Sequence, residues 1–295
     1  MTKRIGIVAA LSKPEAADLG TRIGTWLSEH GHEPVEERAL SDTMNALDAI
    51  VVLGGDGLMM RAANMYPDIP LLGINFGKVG FLALVEQRDW QAALAALTHD
   101  DFTLEESSTL QATLLREDEE HDQGWAINDV VIRGGNRMVN VELYIDGSFI
   151  NTYPGDGMIV STARGSTAYC MAAGGPILTA GVRGFAIVPI SCHSPIRTPL
   201  VASESAVIEL VLANTHDASL ILDGRVPTEV RQDDVVRVTR GEHAFRLVVT
   251  GSTSFYDAVR TKFNFQIRPD AVPSRRFHHP AGEVRGRRFG DRGST

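Results

Sequence analysis

The stretch Ala49-Ile-Val-Val-Leu53, running directly into Gly54-Gly-Asp-Gly57, constrains the fold more than any other part of the chain. Five apolar residues in a row leave no wet face, so they describe a strand covered on both sides, as in a parallel sheet. Glycines end the strand, and Leu58, Met59, Ala62, Ala63 and Met65 then recur at helical spacing. Similar units flank it. Ile5 to Leu11 reads as a first strand. Ser12-Lys-Pro-Glu15 has the form of a capping box with Ser12 as N-cap. Ala16, Leu19, Ile23, Trp26 and Leu27 then continue as an amphipathic helix to a glycine cap at Gly31. Pro70 to Asn75 supplies another buried strand, and Trp90, Ala93, Leu94 and Leu97 another helix.

After that helix the period changes from 3.6 to two. Val141, Leu143 and Ile145 alternate with Asn140, Glu142 and Tyr144 and run into Asp146-Gly147, a two-residue hairpin signal. Thr109 to Arg116 opens this region, and strands are predicted at 125–132, 157–162, 184–190, 206–212, 218–222, 234–239 and 244–250. The fold class is therefore an α/β N-terminal domain with a parallel sheet, plus a mainly antiparallel β C-terminal domain. A chain of 295 residues has room for both, since single cores stop growing near ~250 residues. Phe255 to Phe265 reads as a short amphipathic element. Beyond it the apolar pattern fades, predicting a disordered tail at 269–295.

Charge narrows the partners. A net charge of -9 argues against nucleic acid or an anionic membrane, and it is uneven: 271–295 carries six Arg against Glu283 and Asp291, or +4, leaving -13 on the rest. An anionic ligand must then be held locally, by glycine-loop amides and a few placed cations such as Arg61, Lys78 and Arg225. Cys170 and Cys192 form no CxxC and have no ligand-spaced His, so neither a disulfide framework nor a zinc site is indicated, and a cytoplasmic location fits. No apolar run is long enough to span a bilayer.

Four segments could carry chemistry. Gly54 to Gly57 sits where open α/β sheets bind ligands, with glycines that admit phosphate oxygens and a helix N-terminus behind them. The plain alternative is a tight turn with Asp56 as helix N-cap. Asn128-Asp129 interrupts an apolar strand with groups suited to the vicinal hydroxyls of a ribose, or marks a bulge or strand end. Asp156 to Tyr169, continuing to Pro176, is a strand leading into a small-residue loop that could admit a planar base. Asp223-Gly224-Arg225 reads equally well as a hairpin turn. His193 has no visible catalytic partner and is read as a structural histidine. Neither a P-loop nor a GxGxxG fingerprint is present.

In this order the four segments resemble the NAD kinase family, specifically the bacterial enzymes that phosphorylate NAD to NADP. The resemblance covers most of 1–265. It includes Gly73 to Leu82, the Asn-acidic pair, Gly165-Ser-Thr-Ala-Tyr169 and Gly174-Gly-Pro-Ile177. It implies domains at 1–105 with 252–268 and at 106–251, an active site between them, and assembly into homodimers or homotetramers. It also implies ATP as phosphate donor, NAD as substrate, and Mg²⁺ or another divalent ion carried mainly by ATP, with Asp56 as the nearest candidate carboxylate, without a metal site of the protein's own. By motif, Asp56 is similar to the family's proton acceptor, with Gly57 beside it and Arg61 near the phosphates. Asn128 and Asp129 match the pair that holds NAD, and Asp156 the residue at the nicotinamide end. Thr167, Ala168 and Tyr169, with Ala172, match the adenine-side loop, and Asp223 and Arg225 fall in a DGQ-like element. Ala163-Arg164, Cys170 to Ala172 and Arg225 depart from the family's usual residues. A lipid or sugar-phosphate kinase of the GGDG type, or a non-catalytic NAD-binding regulator, is the alternative.

Overall fold

The computed structural model describes residues 1–259 except 44–45, 78–79, 118, 180, 196, 215–216, 252–254 and 257. The tail expected at 269–295, most of the element expected at 255–265, and Lys78 lie outside the described residues. Two compact units divide the chain: Met1–Glu106 together with the chain from Arg246 onward, and Ser107–Phe245.

The first unit alternates strands and helices: β1 (Arg4–Ala9), α1 (Pro14–Glu29), β2 (Glu33–Glu36), α2 (Glu37–Thr43), β3 (Ala49–Gly54), α3 (Asp56–Met65), β4 (Leu71–Asn75), β5 (Val85–Glu86) and α4 (Trp90–Thr98). The strands pair in parallel in the order β2-β1-β3-β4, with β5 on β4. All six residues of β3 are buried, as an apolar run at the centre of a parallel sheet must be. Leu19, Ile23 and Leu27 of α1 and Leu94 and Leu97 of α4 pack with Val51, Leu53, Leu72 and Ile74 in one core.

The start of α1 differs from expectation. Its N-cap is Lys13, not Ser12, and no side chain caps it. Pro14 decides this: proline suits the first helical position, and it forces the residue before it into extended backbone, here φ -128° and ψ 101°. The other end closes as expected. Gly31 has φ +78°, its N–H donates to the Ser28 carbonyl at 3.2 Å, and His32 N–H donates to the Leu27 carbonyl at 2.9 Å.

β6 (Thr103–Arg116) leads into the second unit, and β17 (Val235–Val249) leads out of it. Between them lie β7 (Glu119–Ala126), β8 (Asp129–Gly134), β9 (Val139–Ile145), β10 (Ser148–Gly155), β11 (Gly157–Ser161), α5 (Tyr169–Ala172), β12 (Gly184–Ile190), β13 (Leu200–Ser203), β14 (Ile208–Leu212), β15 (Ala218–Leu222) and β16 (Thr228–Val230). One antiparallel layer runs β10-β9-β14-β17, with β6 on β17 and β7 on β6. The other runs β13-β12-β11-β8-β15-β16. Leu110, Val141, Leu143, Leu210 and Val236 from the first layer meet Val130, Ile132, Val160, Phe185 and Leu220 from the second in one core. The alternate residues of β8, β11 and β12, among them Val131, Ile159 and Val188, pack with Cys170 and Leu178 on the outer face. Those strands are apolar without alternation because both their faces are covered.

Three expected strands divide differently in the structure. The run 125–132 is two strands in different layers, parted at Ile127 and Asn128, whereas 234–239 and 244–250 belong to the single strand β17. The Asp146-Gly147 hairpin has φ +50° and +75°, the left-handed pair that such a turn requires.

Candidate active site

Asp56 begins α3, and the N-cap is Gly55, so Asp56 is not the cap residue. Its carboxylate reaches sideways to the chain after β4: Oδ2 accepts from Phe81 N–H at 2.8 Å, and Oδ1 accepts from Leu82 N–H at 3.1 Å and Ala83 N–H at 3.2 Å. Gly80 makes this approach possible, because a Cβ there would stand 1.8 Å from Asp56 Oδ1. Gly55 and Gly57 are different: among the described residues a Cβ at either would meet nothing within 4 Å. Packing inside the protein does not ask for glycine at those two positions, so the open space above the N-terminus of α3 is what their missing side chains provide. Arg61 lies in the second turn of α3, and its guanidinium pairs with Glu37 of α2. Five residues along a helix turn it ~140° away from Asp56.

In the second unit Asn128 and Asp129 stand at the start of β8, and the segment is gripped from two sides. Asp223, with φ +48° beside Gly224 at +69°, accepts N–H bonds from Ile127 at 2.8 Å, Asn128 at 2.7 Å and Asp129 at 3.1 Å. Its own N–H donates to the Asp129 carbonyl at 3.0 Å. From the other side, Ser161 Oγ donates to the Asn128 carbonyl at 3.2 Å and Thr162 Oγ1 to the Ile127 carbonyl at 2.6 Å. Thr162 Oγ1 also accepts from Gly165 N–H at 3.0 Å. A Cβ on Gly165 would stand 2.1 Å from the Asn128 carbonyl oxygen, so that glycine is demanded by contact. With its backbone so held, the Asn128 side-chain amide makes no hydrogen bond among the described residues.

Asp129 is buried at 6% exposure, and its carboxyl is pushed up to about 7, first by desolvation and then by the charge of Asp223. Near neutral pH it therefore exists in both forms and can donate or accept a hydrogen bond. Below it the Cys170 thiol is raised to about 11 by burial, so it is held as an inert thiol.

The adenine-side loop forms a 3₁₀ turn at Gly165–Thr167 followed by α5. Ser166 is fully buried and structural: its hydroxyl donates to the Ala163 carbonyl at 2.6 Å and accepts from Leu178 N–H at 3.0 Å. Thr167, Ala168 and Tyr169 are half-buried and Ala172 is exposed. The unusual Arg164 donates to Ser107 Oγ at 3.0 Å and lies over the Phe245 ring. Arg225 donates to the Leu222 carbonyl at 3.1 Å and to the Trp125 carbonyl, so its guanidinium is a backbone brace.

Asp156 is exposed at the opposite end of β11 from Ser161, ~17 Å of strand away, and is not gathered with Asn128 and Asp129. The adjoining strand end borders a cavity of about 580 Å³ lined in part by Gly174, Ser191, Cys192, His193 and Arg197. His193 is exposed there, and its ring has no hydrogen-bond partner among the described residues, which corrects the reading of it as a satisfied structural histidine. Sequence reading missed the bracing roles of Ser161, Thr162 and Gly165. Their signal was present as hydroxyls and glycine beside a tyrosine, but it pointed to a base rather than to the neighbouring backbone.

Among the described residues no group of three or more His, Cys, Asp or Glu side chains could hold a metal ion, and no helix is long and apolar enough to cross a membrane. Residues 35–102 match the model of the ATP-NAD kinase N-terminal domain, and 127–250 that of the ATP-NAD kinase C-terminal domain. The NAD kinase of Thermomicrobium roseum is 56% identical over 276 residues, which is 94% of this chain and 96% of that one. The NAD kinase of Natranaerobius thermophilus is 35% identical over 278 residues, covering 88% and 97%. In fold, the chain is similar to yeast NADH kinase complexed with NADH (TM-score 0.81, 19% identity, 93% and 90% covered). It is also similar to an NAD kinase from Archaeoglobus fulgidus in complex with ATP (TM-score 0.71, 23% identity, 88% and 99% covered).

Proposed function

The chain belongs to the NAD kinase family and carries its activity, the ATP-dependent phosphorylation of NAD. We propose that the γ-phosphate of ATP passes to the 2'-hydroxyl of the adenosine ribose, giving NADP and ADP, with Asp56 as the proton acceptor. As the new O–P bond forms, the hydroxyl proton moves to the Asp56 carboxylate, and the γ-phosphate's bond to the bridging oxygen breaks with its electrons leaving on ADP. Phosphoryl transfer through a loose transition state asks little proton chemistry and much alignment. The observation that carries this reading is a carboxylate held by three backbone amides at a helix N-terminus, beside two glycines that packing does not require.

In the second unit, the Asn128 amide, without a hydrogen-bond partner among the described residues, and the neighbouring carboxyl of Asp129 suit the hydroxyls of NAD, and Thr167, Ala168, Tyr169 and Ala172 the adenine side. Asp156, far along β11, would serve the nicotinamide end. Asp223 and Arg225 take part by holding backbone. In this reading the divalent ion arrives with ATP as part of the substrate. Self-association into dimers or tetramers and a cytoplasmic location belong to the same reading. The relatives give no support to a lipid or sugar-phosphate kinase or to an idle regulator. Incubating the pure protein with ATP, Mg²⁺ and NAD tests the reaction: NADP should form, and NAD binding without NADP would overturn it.

A further inference from the structure

A nucleoside triphosphate brings several negative charges to a chain of net charge -9, yet Arg61 is paired with Glu37 and Arg225 braces carbonyls in the other unit. The charge at the glycine turn must be met by another group, and sheet topology supplies one. β1 and β4 are the two neighbours of β3. The loop after β1 is tied to the end of β3, with Ala10 N–H donating to the Leu53 carbonyl at 3.0 Å and Lys13 N–H to the Ala10 carbonyl at 3.0 Å. The loop after β4 is tied to it from the other side, with Phe76 N–H donating to the Gly54 carbonyl at 2.9 Å. The Lys13 side chain starts in the first loop and ends in the second, where its ammonium donates to the Phe76 carbonyl and stands 3.6 Å from where a Gly77 Cβ would be. It therefore links the two loops that flank the carboxyl end of β3.

We propose that Lys13 is a binding residue for the triphosphate of the donor nucleotide, supplying the cation that holds its phosphates against the glycine turn. This rests on the phosphoryl-transfer reading above. An ammonium has three N–H donors; one goes to Phe76, and among the described residues the other two have no partner and no carboxylate pairs with them. Lys3 is the contrast, its ammonium being paired with Asp100. A carbonyl anchor fixes the position of the Lys13 charge without neutralising it. Phe76, which anchors the ammonium, is itself bonded to Gly54 at the head of the glycine turn, and α3 starts there, with amides that would favour the same anion.

Two variants separate the charge from the strap. Lys13→Gln keeps an N–H donor for the Phe76 carbonyl and removes the charge, whereas Lys13→Arg keeps both. Equilibrium binding of Mg-ATP without NAD, and of NAD without ATP, is measured alongside steady-state KM and kcat and the melting temperature. Loss of one charge-assisted contact should weaken ATP binding and raise KM for ATP by about ten- to a hundredfold in Lys13→Gln. NAD binding should stay unchanged and Lys13→Arg should stay close to the parent. Unchanged ATP binding in Lys13→Gln, or equal loss of ATP and NAD binding, would overturn the inference. If Lys13→Gln does not fold, ATP binding lost in a stable Lys13→Arg would overturn it, and binding retained there supports it. A parent protein that binds ATP through Lys13 but forms no NADP would sink the acceptor reading and leave this inference standing.

Discussion

Asp56 in the first unit and Asp223 in the second use the same device: each carboxylate accepts three consecutive backbone N–H groups, from residues 81–83 and 127–129 respectively. Their surroundings separate them. Asp56 leads a helix at the end of a buried parallel strand, between glycines whose Cβ positions are open. Asp223 sits in a left-handed hairpin turn, and what it holds is the backbone of Ile127, Asn128 and Asp129, two of which carry the polar side chains of the second unit's site. A carboxylate saturated with amides is a fixed point. Whether it touches substrate or only steadies a neighbour that does depends on what lies in front of it.

The sharpest way to break this comparison is to neutralise each carboxylate. Asp56→Asn should lower kcat for NADP formation by about 10³-fold or more, because the acceptor is gone. Its new N–H₂ must also face one of the amides of 81–83, so stability should fall by about 1–3 kcal/mol. NAD binding should survive; near-parental NADP formation would remove Asp56 from the chemistry. Asp223→Ala should cost stability on the same order, about 2–4 kcal/mol for amides left unpaired. It should also raise KM for NAD far more than KM for ATP. A loss confined to kcat, at normal NAD affinity, would contradict its role as a clamp on the NAD side.

A smaller effect follows from the burial of Asp129 and, after it, the nearby charge of Asp223. A carboxyl raised from 3.8 to about 7 keeps its proton in the folded state while the unfolded chain gives it up. Its stability contribution is therefore full below the unfolded value and is lost as pH rises from about 4 through 7. Asp129→Asn should flatten the pH dependence of the denaturation midpoint across that window and stabilise the protein above it. An unchanged slope would mean that Asp129 is ordinarily ionised. The smallest effect is expected from Arg61→Ala, since an exposed pair with Glu37 contributes only ~0.2–1 kcal/mol. A large rise in KM for ATP in that variant would restore Arg61 as a phosphate ligand at the expense of Lys13.

Much of the fold was legible because it is written in near neighbours. The buried run at 49–53, the helical stripe of α1, the Gly31 cap and the Asp146-Gly147 turn each follow from residues within about four positions of one another. Of the site, the glycine turn, the Asn-Asp break and the hairpin at 223–224 could be found. Their roles were less legible. Arg61 is close to Asp56 in sequence, yet its guanidinium pairs with Glu37 of α2, a meeting that motif matching does not reveal. Ser12 has the chemistry of an N-cap, but Pro14 claims the first helical position and makes Lys13 the cap.

By itself the sequence determined two kinds of period, a glycine turn at the end of a buried strand, and a motif order that matches one kinase family. Those follow from local sterics and from which side chains water excludes. Tertiary structure alone decided that Asp223 meets residues 94 to 96 positions earlier, that Gly165 lies against the Asn128 backbone, and that Lys13 bridges the loops on both sides of β3. Strand order sets those meetings. No rule of spacing along the chain encodes which strands become neighbours, because that choice is made by burying two whole cores at once.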